Sequence, residues 1–332
     1  MADRNRRPLL VNLTLVGVSF ALLALVVASN RAQVREVLTR RIDARLYALA
    51  FGFLLTSLLI TFTRWYILVR ALGLPLRLWD AWRLGFIGNV FNLVIPGAVG
   101  GDAIKGVFLC RDQAKARKTL GIASIVIDRV VGLLGLFLLA GVTGAWAWPS
   151  AGPEVRKLVV LAWLAVTAVL VGLVVVFTPP LYRPLNRAFA RRSKLIKVLG
   201  ELETMASAYR KRLGVVAAAL AMAMGVHGLN VLAFYTVGLA LFPSVPSLAQ
   251  HFVIVPLVLF TTAVPLPFGA LGVSEQASSQ LFKLVGHPSG AVAMMGFRIV
   301  MYAGGLVSVL VYLANLRQVR TLEAEKAGAT II

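Results

Sequence analysis

The sequence predicts an all-α polytopic membrane protein of two inverted repeats, with about six full spans plus two re-entrant hairpins broken by Pro and Gly. Three observations predict it. Of 332 residues, 59% are hydrophobic and only 14% charged, where a soluble globular chain carries about 25% charged residues. The apolar residues fall in charge-free blocks, 9–29, 158–180 and 213–249 among them, each long enough to cross about 30 Å of hydrocarbon as a helix. Landmark residues of the first half recur in the second at one offset, 169 residues.

The first block, 9–29, follows Arg4, Arg6 and Arg7. That basic start resembles a secretory signal, but the apolar core of a signal runs only about 7–15 residues, so this block reads as a retained first span. Segment 31–45 carries five Arg. Its Val34, Val37, Leu38 and Ile42 lie close to one helical face, as in an amphipathic helix on the outer surface. The second span is 46–68, and 119–147 and 157–178 are the third and fourth. A linker, 181–212, holds nine Lys and Arg with Leu and Ile between them. It reads either as amphipathic helix drawn to anionic lipid on the cytoplasmic surface or as an ordinary basic loop. The fifth and sixth spans are 213–242 and 290–316.

Two further apolar segments are too interrupted for one straight helix. In 85–108 the breaks are Pro96, Gly97, Gly100 and Gly101; in 252–282 they are Pro265, Pro267, Gly269 and Gly272. Proline removes a backbone donor and clashes with the preceding turn. Irregular backbone survives at membrane depth only where protein shields it or where it lines a wet cavity. Each segment therefore reads as a re-entrant hairpin.

Net charge is +21, from 34 Lys and Arg against 13 Asp and Glu. The basic residues sit between apolar blocks, where a positive-inside bias puts them, which argues against a nucleic-acid partner. With both hairpins returning to the side they enter from, the bias places the N- and C-termini in the cytoplasm of a multi-pass cell-membrane protein. The five-Arg first outer loop fits this orientation poorly. A single cysteine, Cys110, excludes an intrachain disulfide. The three histidines have no metal-ligand spacing, and there is no phosphate-binding GxxxxGK[ST] motif. No metal and no cofactor are expected.

In the repeat, Pro96 matches Pro265, Gly100 matches Gly269 and Arg129 matches Arg298. The halves run about 9–148 and 157–316 within a single transmembrane domain, 1–332. Each holds three full spans and one broken segment, and an odd number of crossings inverts the second copy. Inverted repeats with broken helices near the midplane are characteristic of transporters.

Arg129 and Arg298 lie well inside apolar spans. An Arg in hydrocarbon costs at least about 2.5–3.5 kcal/mol and cannot shed its proton. Each needs a carboxylate, a wet cavity or an anionic ligand. One reading makes Asp102 and Glu275 their partners in internal struts; the other makes the two Arg a site for a lipid phosphate. Asp128 adjoins Arg129 in sequence, but neighbours do not share a helix face. Asp102 and Ser274 suit helix caps. Glu275 favours a positive helix end, and Lys105 sits one turn into the second limb of the first hairpin. Alternatively, the two hairpin N-termini offer amide donors to an anion. Asn89, Asn92 and Gln276 line a polar path or make interhelical hydrogen bonds. His227 carries a proton or makes a structural bond. Trp65, Trp79, Trp82, Trp146 and Trp148 suit an interfacial belt.

The run from Asn92 through Pro96-Gly97 and Gly100-Gly101 to Asp102, then Asp128-Arg129, then Pro265 through Gly272 to Ser274-Glu275, resembles the lysylphosphatidylglycerol synthase transmembrane region. This is the flippase-like membrane domain of the multiple peptide resistance factor group, and the likeness covers roughly 10–316. The family pattern usually has Glu where Asp128 stands. Its second hairpin usually reads Pro-Gly-Gly-hydrophobic-Gly, where this chain has Phe268 and Ala270 at positions that are typically Gly or small. A less open backbone there is what the departure implies. With no soluble aminoacyl-transfer domain expected, the resemblance implies lipid handling rather than aminoacyl transfer.

The expectation is a flippase-like protein that moves an anionic or phosphate-bearing lipid, a phospholipid or a polyprenyl-phosphate-linked one, between leaflets. Arg129, Arg298, Asp102, Lys105, Asp128, Ser274, Glu275 and Asn92 would contact the headgroup. Anionic membrane lipids are the expected partners, and enzymes of the same pathway are compatible with this role. Two rivals stand: a membrane transferase on a lipid-linked substrate, with only Asp102, Asp128 and Glu275 as carboxylates at depth, or a non-catalytic assembly factor of a glycolipid or cell-envelope pathway.

Overall fold

The computed structural model describes residues 3–94, 100–110, 115–178, 207–264 and 266–316. Pro96, Gly97 and Pro265, and most of the basic linker 181–212, lie outside them. Every regular element among the described residues is helical: α1 Asp3–Ser29, α2 Arg31–Thr39, α3 Ala44–Ala71, α4 Leu78–Val94, α5 Gly100–Cys110, α6 Lys115–Ala147, α7 Pro153–Phe177, α8 Leu213–Leu241, α9 Leu248–Phe260, α10 Val273–Lys283 and α11 Gly290–Ala314. Five of them, α3, α6, α7, α8 and α11, contain a stretch long and apolar enough to cross a membrane, and α1 with α2, bent by 78°, supplies a sixth candidate. The predicted spans thus match α1, α3, α6, α7, α8 and α11.

The two interrupted segments are each split into two helices. α4 and α5 pack closely, because neither Gly88 nor Gly101 carries a side chain. A Cβ on Gly101 would sit 2.7 Å from the Gly88 carbonyl oxygen. In the second segment α9 starts with a Ser247–Gln250 capping box and runs through a 3-10 turn, Thr261–Ala263. The chain then takes three consecutive left-handed residues, Phe268 (φ 57), Gly269 (φ 68) and Ala270 (φ 54), before Gly272 (φ 88) opens α10. For an L-residue with a Cβ this region costs about 1–2 kcal/mol, so Phe268 and Ala270 are strained where glycine would not be.

α3 and α8 pack along each other at the centre, with a polar contact at mid-length where Ser57 Oγ donates to Asn230 Oδ1 at 3.2 Å. α6 lies against α3, α5, α7, α8 and α9, and α11 lies against α3, α4, α8 and α10. Interhelical bonds tie both flanks: Thr143 on α6 to the Phe252 carbonyl at 3.2 Å, and Asn89 on α4 to Ser308 on α11 at 3.0 Å. α1 rests on the 266–272 turn and α10. Gly272 permits that approach, since a Cβ there would lie 2.5 Å from Leu22 Cβ.

Val37 of α2 is buried with Val34 packed beside it, while Leu38 and, just beyond the helix, Ile42 are exposed. One expectation changes here. Trp65 is fully buried rather than interfacial, whereas Trp79 and Trp146 are exposed.

Candidate functional site

A cavity of about 540 Å³ opens between α3, α4, α5, α6, α8 and the end of α9. Its polar wall includes Arg64, Asn92, Asp102, Lys105, Asp128 and Arg129. Phe62, Leu133, Leu136 and Phe260 are among the apolar residues that complete it. This is the pattern of a ligand cavity, mostly apolar with a few convergent polar groups.

The charges are arranged in linked pairs. Arg129 Nε donates to Asp102 Oδ2 at 2.6 Å, with the Arg129 side chain 47% exposed. Lys105 Nζ lies 3.9 Å from Asp102 Oδ1 and 4.9 Å from the centre of the Trp65 ring, within cation–π range. Asp128 turns away from its sequence neighbour and accepts from Arg64 Nε at 2.8 Å, with both side chains buried. Arg64 belongs to α3, well inside the bundle. Sequence alone did not single it out, because it stands near the end of a predicted span. The signal was present: position 64 falls within 46–68, and a charge inside a span needs a partner as much as Arg129 does.

The α4–α5 segment supports this wall. Asn92 Oδ1 accepts from the Gly101 amide at 2.8 Å, so a free amide at the start of α5 is capped by a side chain of α4. Asp102 is directed to Arg129 and Lys105 rather than acting as a cap. His227 on α8 bonds through Nε2 to the Gly132 carbonyl at 3.0 Å, a structural tie between α8 and α6.

The second interrupted segment, 252–282, is built differently. Arg298 Nε donates to Glu275 Oε1 at 2.5 Å, the two side chains being 4% and 0% exposed. Arg298 also donates to the carbonyls of Phe268 and Gly269, pinning the left-handed turn. Glu275 Oε2 accepts from the Gly272 amide at 2.6 Å, so the carboxylate links the turn, the helix start and α11. Ser274 is buried, donating to the Gly269 carbonyl and receiving a bond from Thr261; Gly272, not Ser274, is the N-cap of α10. A cleft of about 390 Å³ beside α1, with Phe20, Phe268 and Tyr302 in its wall, reaches Glu275 and Arg298.

Of the predicted headgroup residues, Arg129, Asp102, Lys105, Asp128 and Asn92 come together in the larger cavity. Arg298 and Glu275 form a separate buried pair, and Ser274 lines neither space. Of the hairpin glycines, Gly101 borders the cavity. Pro267, Gly269 and Gly272 shape the second turn, and Gly100 begins α5.

The family described as Lysylphosphatidylglycerol synthase TM region matches residues 14–308. The chain belongs to this family. A lysylphosphatidylglycerol synthase TM region is a multi-pass, lipid-related membrane domain, in keeping with the apolar helices. The match takes in both interrupted segments and all four of Arg64, Asp128, Arg129 and Arg298. No curated protein matches the chain.

Proposed function

We propose that this protein moves an anionic or phosphate-bearing lipid between the leaflets of the cell membrane, with the headgroup in the 540 Å³ cavity and the acyl or isoprenoid chains left in the bilayer. The observation that carries the reading is the cavity itself. It sets Arg129, bound to Asp102, in a wall that is otherwise largely apolar, where an Arg can exchange its carboxylate for a phosphate at little cost in charge balance.

The packing of α3–α6 and α8–α11 supports a repeat of these elements, although the close packing of α7 on α6 is not matched by comparable packing of α1 on α11. Exchanging α3 with α8, α4 and α5 with α9 and α10, and α6 with α11 turns the α6–α8 contact into α11–α3, α6–α9 into α11–α4 and α5–α6 into α10–α11, all of which occur. The two broken segments fit re-entrant hairpins under this exchange. The two halves differ at their arginines, Arg129 being 47% exposed in its cavity and Arg298 4% exposed beside the smaller cleft at α1, an asymmetry expected of a transporter resting in one of its two states. Each carboxylate at depth, Asp102, Asp128 and Glu275, is engaged with an arginine, which favours transport over a transferase that needs a general base.

The test is leaflet exchange in liposomes containing purified protein and fluorescent lipids of several headgroup classes. Exchange of anionic lipid by the native protein, reduced at least tenfold in a folded Arg129→Ala variant, is the expected result. Equal exchange by both would remove the cavity from the mechanism, and none by either would remove the transport reading.

A further inference from the structure

We propose that Lys105 makes the cavity selective for a headgroup of one net negative charge, a phosphodiester, against zwitterionic, net-cationic and dianionic headgroups. The inference rests on the transport reading above and specifies its substrate class.

The argument starts from charge. Among the described residues of the cavity wall, Arg64, Lys105 and Arg129 face Asp102 and Asp128. The Arg64–Asp128 pair is buried and closed on itself, Arg64 also reaching the Asp128 carbonyl. Asp102 is then shared between Arg129 at 2.6 Å and Lys105 at 3.9 Å. One carboxylate serves two cations, so the described residues of the wall carry one positive charge in excess. In surroundings this apolar, an excess charge calls for a counter-ion.

Lys105 is where that excess is available. An ammonium carries three donors and no acceptor. Among the described residues its contacts are the 3.9 Å approach to Asp102, beyond hydrogen-bond length, and the Trp65 ring. The residue is about nine-tenths buried yet lines the cavity. Trp65, fully buried beneath it, holds the ammonium without consuming a donor. An oxyanion entering the cavity would meet N–H groups that nothing else in the described wall uses.

The second half shows the contrast. At the offset that carries Arg129 onto Arg298, Lys105 falls on Ser274, a buried hydroxyl bonded within the turn. There Arg298 and Glu275 balance one to one and Arg298 is further saturated by two carbonyls. The extra cation therefore belongs to the Arg129 side alone, and an anionic headgroup binds there in preference to the Arg298 side. A phosphodiester of charge −1 neutralises the excess. A zwitterion leaves it in place. A lysylated headgroup of net charge +1 adds to it, and a phosphomonoester, about −1.5 to −2 at neutral pH, overshoots it.

The experiment uses the full chain in liposomes with acyl-labelled phosphatidylglycerol, phosphatidic acid, phosphatidylethanolamine and lysylphosphatidylglycerol, comparing the native protein with Lys105→Gln and Lys105→Arg. All variants are first checked for a monodisperse, native-like thermal transition. The expected result is fastest exchange of phosphatidylglycerol, a loss of roughly tenfold to a hundredfold in Lys105→Gln, the size of one charged hydrogen bond, and retention of the preference in Lys105→Arg. Anionic exchange that is indifferent to headgroup charge, or unchanged in Lys105→Gln, would overturn this inference and leave the transport reading standing. So would a folded Lys105→Arg that loses the preference as Lys105→Gln does. Absence of exchange for every lipid in the native protein would overturn both. If Lys105→Gln does not fold, binding of the same four lipids to the native protein in detergent decides the matter, an order other than phosphatidylglycerol first being the contrary outcome.

Discussion

Replacing Glu275 by Gln leaves the size of the side chain almost unchanged and removes its charge. In the native protein the carboxylate is fully buried, accepting from Arg298 at 2.5 Å and from the Gly272 amide at 2.6 Å. Gln can still accept one of these bonds but cannot neutralise a guanidinium that is itself 4% exposed. Removing one partner of a buried ion pair costs about 3–5 kcal/mol, mostly because the other charge stays buried and uncompensated. At about 2–4 °C of melting temperature per kcal/mol in a large domain, the transition should fall by roughly 6–20 °C. The matched control is Asp102→Asn. Its partner Arg129 is 47% exposed and can turn to the cavity, but Asp102 also faces the buried Lys105 at 3.9 Å, so the change should cost about 1–3 kcal/mol and lower the transition by less than Glu275→Gln does. Thermal unfolding in mild detergent, followed by Trp fluorescence or circular dichroism, reads both. A larger drop for Asp102→Asn than for Glu275→Gln would refute the division between an open pair and a buried strut.

Three further outcomes are expected. Ala270→Gly relieves a left-handed residue (φ 54) and should raise stability by about 0.5–1 kcal/mol, the strain released less the added freedom of the unfolded chain, read in the same melting assay. Gly272→Ala places a Cβ 2.5 Å from Leu22 Cβ and 2.8 Å from the Leu23 amide nitrogen. It should cost about 1–3 kcal/mol and loosen α1, measurable as faster protease cleavage or thiol labelling at an engineered Leu22→Cys. Gly101→Ala forces a Cβ to 2.7 Å from the Gly88 carbonyl and must separate α4 from α5. Lower stability by about 1–3 kcal/mol and slower lipid exchange are the checks.

The spans were legible because charge-free length is a one-dimensional property. Hydropathy marked 46–68 and 290–316, and the helices Ala44–Ala71 and Gly290–Ala314 follow within a few residues. The two Arg–carboxylate pairs were legible for an energetic reason: an Arg at depth must find an acid, and few acids lie at depth. What the sequence hid was helix rotation. Arg64 stands four residues before the predicted end of its span, where nothing in the sequence tells its facing, yet α3 continues to Ala71 and turns it inward to Asp128. Trp65, one residue further, turns inward to lie under Lys105 instead of at the interface. Ser274 looked like a cap, but Gly272 with φ 88 starts the helix and Glu275 reaches back to its amide. The glycine-poor second turn was visible as a departure from the family pattern. Only the backbone shows that Phe268 and Ala270 nonetheless adopt the left-handed conformation, with Arg298 bonded to the carbonyls of Phe268 and Gly269.

The central claim is that an anionic headgroup enters the cavity beside Arg129 and Lys105. The most direct measurement is an electron cryo-microscopy structure in nanodiscs of phosphatidylglycerol. The account predicts headgroup density inside the cavity, its phosphate within hydrogen-bond distance of Arg129 or Lys105. A cavity holding only water, with lipid confined to the outer surface of the helices, would contradict it.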